Sequence, residues 1–213
     1  MNKIRNSIIL LLISSLSVFP QENDLQSWYS FSLKKKLVKK IDLTLKSGIR
    51  YRENSSLLSK QFFDFKFKKR WSKRVSFASG YRYANNWDKE LKASDNHRFY
   101  SDLSYKNKLV KRLDYSIRNR WQTQGDIYGY KMTLRQKFSL SYNIRKTKLT
   151  PNIATEYFFN LDDGLNKLRS TATLSYPITK KLDFDFSYRI QQEFYTNNPE
   201  TLFIFEGKFL YNL

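Results

Sequence analysis

Cysteine is absent from the chain, histidine occurs once, and proline and glycine are scarce, at four and six of 213 residues. Without cysteine there is no disulfide framework, no lipid-modified N-terminal cysteine and no thiol nucleophile. One histidine and no cysteine cannot build the usual zinc site. Acidic residues are outnumbered two to one, 19 Asp and Glu against 39 Lys and Arg, which leaves a net charge of +20. Beyond the first 21 residues no run of about eighteen apolar residues occurs, which excludes a transmembrane helix by hydropathy. Aromatic residues, by contrast, are plentiful at 17%. A chain so rich in them is not disordered by composition.

The N-terminus reads as a secretory signal peptide over residues 1–21. Lys3 and Arg5 precede the apolar run Ile8 to Leu16, and the turn-prone stretch Ser17 to Gln21 leads into the polar Glu22-Asn23-Asp24. The apolar run is too short for a retained anchor, since a spanning helix needs about twenty residues. Residues 22–213 then form one domain. A pI near 10.0 would point to nucleic acid in a cytosolic protein. In an exported one, nucleic acid gives way to phospholipid headgroups, lipopolysaccharide phosphates and acidic polysaccharides, or to charges that are simply solvated.

The mean hydropathy of -0.65 does not exclude a membrane protein, because a transmembrane barrel alternates lipid-facing and lumen-facing residues. Such alternation runs through the whole chain. Ile41, Leu43, Leu45, Ile49 and Tyr51 interleave with Asp42, Thr44, Lys46, Arg50 and Arg52. Phe63, Phe65 and Phe67 interleave with Asp64, Lys66 and Lys68, and Val75, Phe77, Tyr81 and Tyr83 with Arg74, Ser76, Gly80 and Arg82. The pattern recurs at Leu113 to Trp121, Met132 to Leu140, Leu149 to Phe159, Leu168 to Tyr176 and Leu182 to Ile190. Period two means strands with one apolar face.

With further segments near Trp28 to Leu37, Arg98 to Lys106 and Leu202 to Leu213, eleven stretches of membrane-spanning length can be counted. Single-chain bacterial barrels use an even number. The expectation is therefore an all-β, antiparallel, up-and-down transmembrane barrel of ten to twelve strands, twelve being favoured. Short connections are expected near Val38 to Lys40, Trp71 to Lys73, Leu109 to Lys111, Asn143 to Thr147 and Ile178 to Lys180. Longer ones are expected near Glu53 to Ser59, Asn85 to Asn96, Thr123 to Tyr130, Asn160 to Asn166 and Phe194 to Glu200. That asymmetry predicts long loops outside the cell and short turns in the periplasm.

A soluble lipocalin-like barrel also alternates, but eight strands suffice for it, and a wider soluble barrel would have to fill an interior lined with Phe and Tyr. The last strand puts Phe203, Phe205, Phe209, Tyr211 and Leu213 on one face. Such a strand resembles the signal read by the barrel-assembly machinery of the outer membrane, and closure would hide an edge that is otherwise an aggregation hazard. The expected location is the outer membrane of a Gram-negative bacterium, as a monomer among outer-membrane lipids and lipopolysaccharide.

Several short motifs stand in order along this frame: Trp28, Arg50-Tyr51-Arg52, Gly80-Tyr81-Arg82, His97-Arg98, Arg118 with Arg120, Pro151 with Glu156, and Arg169. In their order and spacing the chain resembles an uncharacterised family of outer-membrane barrels common in Bacteroidetes, domain of unknown function 2490, over nearly all of its mature length. The resemblance implies a fold and a location, but no reaction.

Catalytic chemistry finds little support. Hydrolytic outer-membrane barrels resembling the phospholipase and lipid A deacylase families place a serine two residues after histidine, and here Phe99 follows His97 at that distance. Ser101, four residues on, lies too far along a strand for a direct hydrogen bond. Asp162-Asp163-Gly164 suits a turn better than a calcium loop, and Gly125 and Gly129 read as loop residues rather than a phosphate cradle. No cofactor is expected, and an enzyme, an outer-membrane lipid hydrolase, is the least favoured reading.

Parity sends Arg50, Arg52, Arg82, Arg118, Arg120, Arg135, Arg169 and Arg189 to the lumen, with Asp42, Asp64, Asp102, Asp114, Glu156, Asp183 and Asp185. Two functions compete for this set. One is a salt-bridged network that holds a narrow barrel rigid, since an unpaired buried Arg is costly. The other is a lumen that binds or conducts anions. The sequence favours the network, and it marks Arg118 and Arg120, which share only Asp114 in their own strand, as candidates for uncompensated charge.

Overall fold

The computed structural model describes residues 22–161, 164–195 and 199–213. The expected signal peptide and the Asp162-Asp163 pair lie outside the described residues. The strands are β1 (Glu22–Val38), β2 (Ile41–Arg52), β3 (Leu57–Arg70), β4 (Val75–Trp87), β5 (Ala93–Val110), β6 (Leu113–Asp126), β7 (Gly129–Tyr142), β8 (Thr150–Asn160), β9 (Gly164–Pro177), β10 (Leu182–Glu193) and β11 (Glu200–Asn212). Each pairs antiparallel with its neighbour in sequence, and β1 pairs with β11 to close a barrel. Backbone groups are satisfied around the whole circumference, as a structure in hydrocarbon requires.

Among the described residues eleven strands close it, within the expected ten to twelve though one short of the favoured twelve. When neighbours alternate in direction around a ring, an odd count forces one parallel pair, and this falls between β1 and β11, in register from Glu22 opposite Glu200 to Lys34 opposite Asn212. The even-number rule presumes that the first and last strands run in opposite directions. Here they run the same way, and their slanted parallel ladder removes the edge as completely as an antiparallel one would.

Alternation sorts the two faces. Phe31, Leu45, Phe63, Phe65, Phe99, Trp121, Phe138, Ile153, Phe186, Phe205 and Phe209 are exposed on the outside, while Asp64, Asp102, Arg120, Arg135, Glu156 and Glu206 are buried inside. Water would penalise such an exterior, whereas hydrocarbon suits it, and this is the inside-out arrangement of a transmembrane barrel. The interior is not wholly polar. Trp28, Phe62, Tyr100, Phe158, Leu202 and Ile204 also point inward and are buried.

Two glycines make room for these rings. Gly48 stands opposite Phe62, and Gly80 opposite Tyr100. A Cβ on Gly48 would lie 2.5 Å from the Phe62 ring, and one on Gly80 would lie 2.4 Å from Tyr100. The rings therefore lie flat over the neighbouring backbone, which is where a strand glycine permits close approach.

The connections correct one sequence expectation. Among the described residues they span 39–40, 71–74, 111–112, 143–149 and 178–181 at one rim, and 53–56, 88–92 and 127–128 at the other. The two sets are nearly equal in length, because strands expected to end early run on: β6 and β7 reach Asp126 and Gly129, which reduces the expected loop from Thr123 to Tyr130 to a two-residue turn. What separates the rims is charge. The first, hereafter the basic rim, carries Lys39, Lys40, Lys73, Lys111, Arg145, Lys146, Lys180 and Lys181, whereas Glu53, Asp88 and Glu90 lie in the connections of the second.

Candidate functional site

The inward side chains enclose a cavity of about 1020 Å³ that reaches the second rim, where Glu53, Asn54 and Lys89 border it. Among the described residues sixteen Lys and Arg line it, against six Asp and Glu. Its lining extends down to Lys46, Arg118, Lys137 and Lys208 and includes no side chain of the basic-rim half such as Lys66, Ser104, Ser116 or Thr173. The cavity is thus a vestibule in the half of the barrel that ends at the second rim.

Its wall is built from a repeated unit. On β3, Phe62 lies over Gly48, and Asp64 two residues on faces Arg82 of β4, whose Nε donates to Oδ2 at 2.8 Å. The Arg82 guanidinium lies 4.1 Å from the Phe62 ring centroid. On β5 the same pattern recurs: Tyr100 over Gly80, Asp102 facing Arg120 of β6, and the Arg120 guanidinium 3.9 Å from the Tyr100 ring. The Tyr100 hydroxyl donates to Asp64 at 2.8 Å and links the two units. Aromatic faces hold guanidinium planes by cation–π attraction and leave the N–H edge to the carboxylate.

Across the lumen, Glu156 collects Arg118 at 2.6 Å, Arg135 at 2.9 Å and Arg169 at 3.7 Å. Arg135 and Arg169 lie 4.3 and 4.9 Å from the Phe158 ring. Glu206 takes Arg189 and, at 3.6 Å, Lys208. Fully buried Ile204 holds the aromatic position two residues before it. Each carboxylate is removed from water but compensated, which a buried charge requires.

Of the residues singled out by parity, Arg82, Arg118, Arg120, Arg135, Arg169, Arg189 and Glu156 come together in these pairs. Arg50 does not. It lines the cavity, stacks on Trp28 at 3.7 Å and makes no ion pair among the described residues. Asp114 is not the partner of Arg118 or Arg120 but binds Lys106 at 2.9 Å, while Asp42 binds Arg70 at 3.2 Å. The lumen set drawn from parity left out the inward aromatics and also Lys60, Arg98, Lys137, Lys208 and Glu206. Parity carried the signal: Phe62 keeps step with Asp64, Tyr100 with Asp102, Phe158 with Glu156, and a large apolar residue on a polar face marks a packed interior.

His97 lies on the outward face, where its Nδ1 shares a 2.8 Å hydrogen bond with the Tyr81 hydroxyl and its ring sits between Tyr81 and Tyr83. Among the described residues no three His, Cys, Asp or Glu side chains gather in an arrangement that could hold a metal ion.

A solved structure of the NanC porin, in a rhombohedral crystal form, is similar to this chain with a TM-score of 0.52 and 13% identity, covering 84% of this chain and 93% of that one. At this identity the likeness concerns the fold. No curated protein matches the chain. The family model described as Protein of unknown function (DUF2490) matches residues 25–201. Since that match runs from the first strand into the last, the chain belongs to the DUF2490 family.

Proposed function

We propose that the protein is a porin-like barrel of a Gram-negative outer membrane whose vestibule admits small anionic solutes from the second rim. The observation that carries this reading is the excess of cations lining the cavity, sixteen against six. A water-filled space in low-dielectric walls focuses such a field and raises the local concentration of anions. The ion pairs play the structural part of the same design, bracing the waist of the barrel. The chain folds as a monomer through its C-terminal strand, with the barrel-assembly machinery as partner and lipopolysaccharide and phospholipid around it. Catalysis is not part of this reading, because the only histidine faces outward against tyrosines.

The field rests on cations that lack a carboxylate. Arg118 and Arg120 are held by Glu156 and Asp102, so they lose the role their sequence position had suggested. Arg50 and Arg98 take it over. In planar bilayers under a salt gradient, reversal potentials should report anion preference that weakens in Arg50→Gln, Arg98→Gln. Cation selectivity overturns the proposal. Folded barrels that never conduct leave the braced, closed barrel as the function.

A further inference from the structure

One wall of the vestibule concentrates cations of which most lack a carboxylate partner among the described residues. Arg50 on β2 stands directly opposite Lys60 on β3, and Arg82 on β4 directly opposite Arg98 on β5. Like charges directly opposite are destabilising. Of these four, Arg82 alone has a carboxylate partner among the described residues, Asp64. Arg98 donates to the neutral Oε1 of Gln124, and Arg50 and Lys60 make no ion pair among the described residues. Two nitrogens, Nε and Nη2, of neighbouring Arg52, which also borders the cavity, are buried with no hydrogen-bond partner among the described residues.

The backbone is shaped to this cluster. The β2–β3 register shifts between Arg50 and Tyr51, which leaves Ser59 unpaired as a bulge, so that Ser59 and Lys60 both line the vestibule. Bulges recur beside functional sites because they re-aim a side chain. The Arg50 guanidinium lies over the Trp28 ring at 3.7 Å. A stacked guanidinium keeps its planar fork of donors free for an oxyanion.

We propose that Arg50, Lys60 and Arg98 form a discrete binding site for a phosphate-type oxyanion carrying two or more negative charges. This deepens the function proposed above and rests on the vestibule being open to anions. Three cations on three strands of a curved wall line the same vestibule. A planar carboxylate offers two oxygens in one plane, whereas a phosphate group offers three around a tetrahedron, one for each donor. A monovalent anion would leave most of the repulsion in place. Lysine supplies a point charge for phosphate, and arginine the directional hydrogen bonds.

The test is calorimetric titration of the refolded barrel in detergent with sodium pyrophosphate, with citrate as the polycarboxylate probe, at fixed ionic strength in chloride. The expected result is one pyrophosphate per barrel, bound at least about tenfold more tightly than citrate. In Lys60→Gln, Arg98→Gln the affinity should fall at least about tenfold. In Lys69→Gln, Lys73→Gln, which removes the same charge near the basic rim, it should stay within about twofold. Removing the site cations also relieves repulsion, so the first variant should unfold at a higher temperature than the parent in chloride and gain nothing from pyrophosphate. Equal binding by the first variant, equal affinity for citrate, or a loss of heat resistance overturns the site. A barrel that binds pyrophosphate but never conducts keeps the site and sinks the passage reading. An anion-selective barrel that ignores pyrophosphate does the reverse.

Discussion

Arg120 and Asp102 face each other across β6 and β5 and are joined by two parallel hydrogen bonds, Nε to Oδ1 at 2.6 Å and Nη2 to Oδ2 at 2.7 Å. Both groups are buried. Arg120→Gln leaves the Asp102 charge buried and unpaired and should cost about 3–5 kcal/mol. Arg120→Met with Asp102→Leu, which removes both charges, should recover most of that loss. Urea unfolding in lipid vesicles measures both. A single variant as stable as the parent would show that the pair does not brace the waist.

Gly80→Ala should destabilise the barrel by about 1–3 kcal/mol, because the new methyl meets the Tyr100 ring and hydroxyl at 2.4 Å and the Phe65 carbonyl at 2.7 Å. Gly207→Ala is the control. Its Cβ would find the nearest atoms, in Tyr29 and Phe184, at 3.6 and 3.8 Å, and the change should stay within about 0.5 kcal/mol. Equal effects in the two variants would refute the close approach of Tyr100 to β4.

The parallel seam can be trapped covalently, since there is no native cysteine to interfere. Ser30 lies directly across from Lys208, so Ser30→Cys with Lys208→Cys should oxidise to a disulfide within the monomer while the barrel keeps its heat-modifiable mobility on gels. Gln26→Cys with Lys208→Cys, four residues out of register, should not. Crosslinking of the second pair alone would place β1 in a different register or direction.

In the orientation we propose, the basic rim faces the periplasm and the second rim the cell exterior. Single cysteines at Asp88 and Asp126 should therefore react with a membrane-impermeant maleimide on intact cells, and those at Lys39 and Lys180 only after lysis. Labelling in the opposite order would turn the basic rim toward lipopolysaccharide.

How much of this was legible in the sequence differs from residue to residue. Phe63, Phe65 and Phe67 against Asp64, Lys66 and Lys68 show two faces without any partner strand, because the strand period is a local property of the backbone. Arg82 with Asp64 was within reach of parity, since the two strands form one hairpin. Arg118 with Glu156 was not, since their strands are separated by β7, and the contact depends on how tightly the wall curves. Loop lengths were misjudged where polar strand ends, as at Thr123 to Asp126, carry on in register beyond the apolar band.

The sequence by itself determined that this chain makes strands with one apolar and one strongly basic face, because alternation and net charge survive any register. Only the tertiary structure decided the number of strands, the parallel closure and which cations are compensated. Closure depends on the relative direction of β1 and β11, which no local pattern encodes. Compensation depends on which side chains face one another across and around the lumen. Arg120 and Arg50 are alike in sequence, each an arginine on an inward parity, yet one meets Asp102 across its ladder and the other meets Trp28 and Lys60.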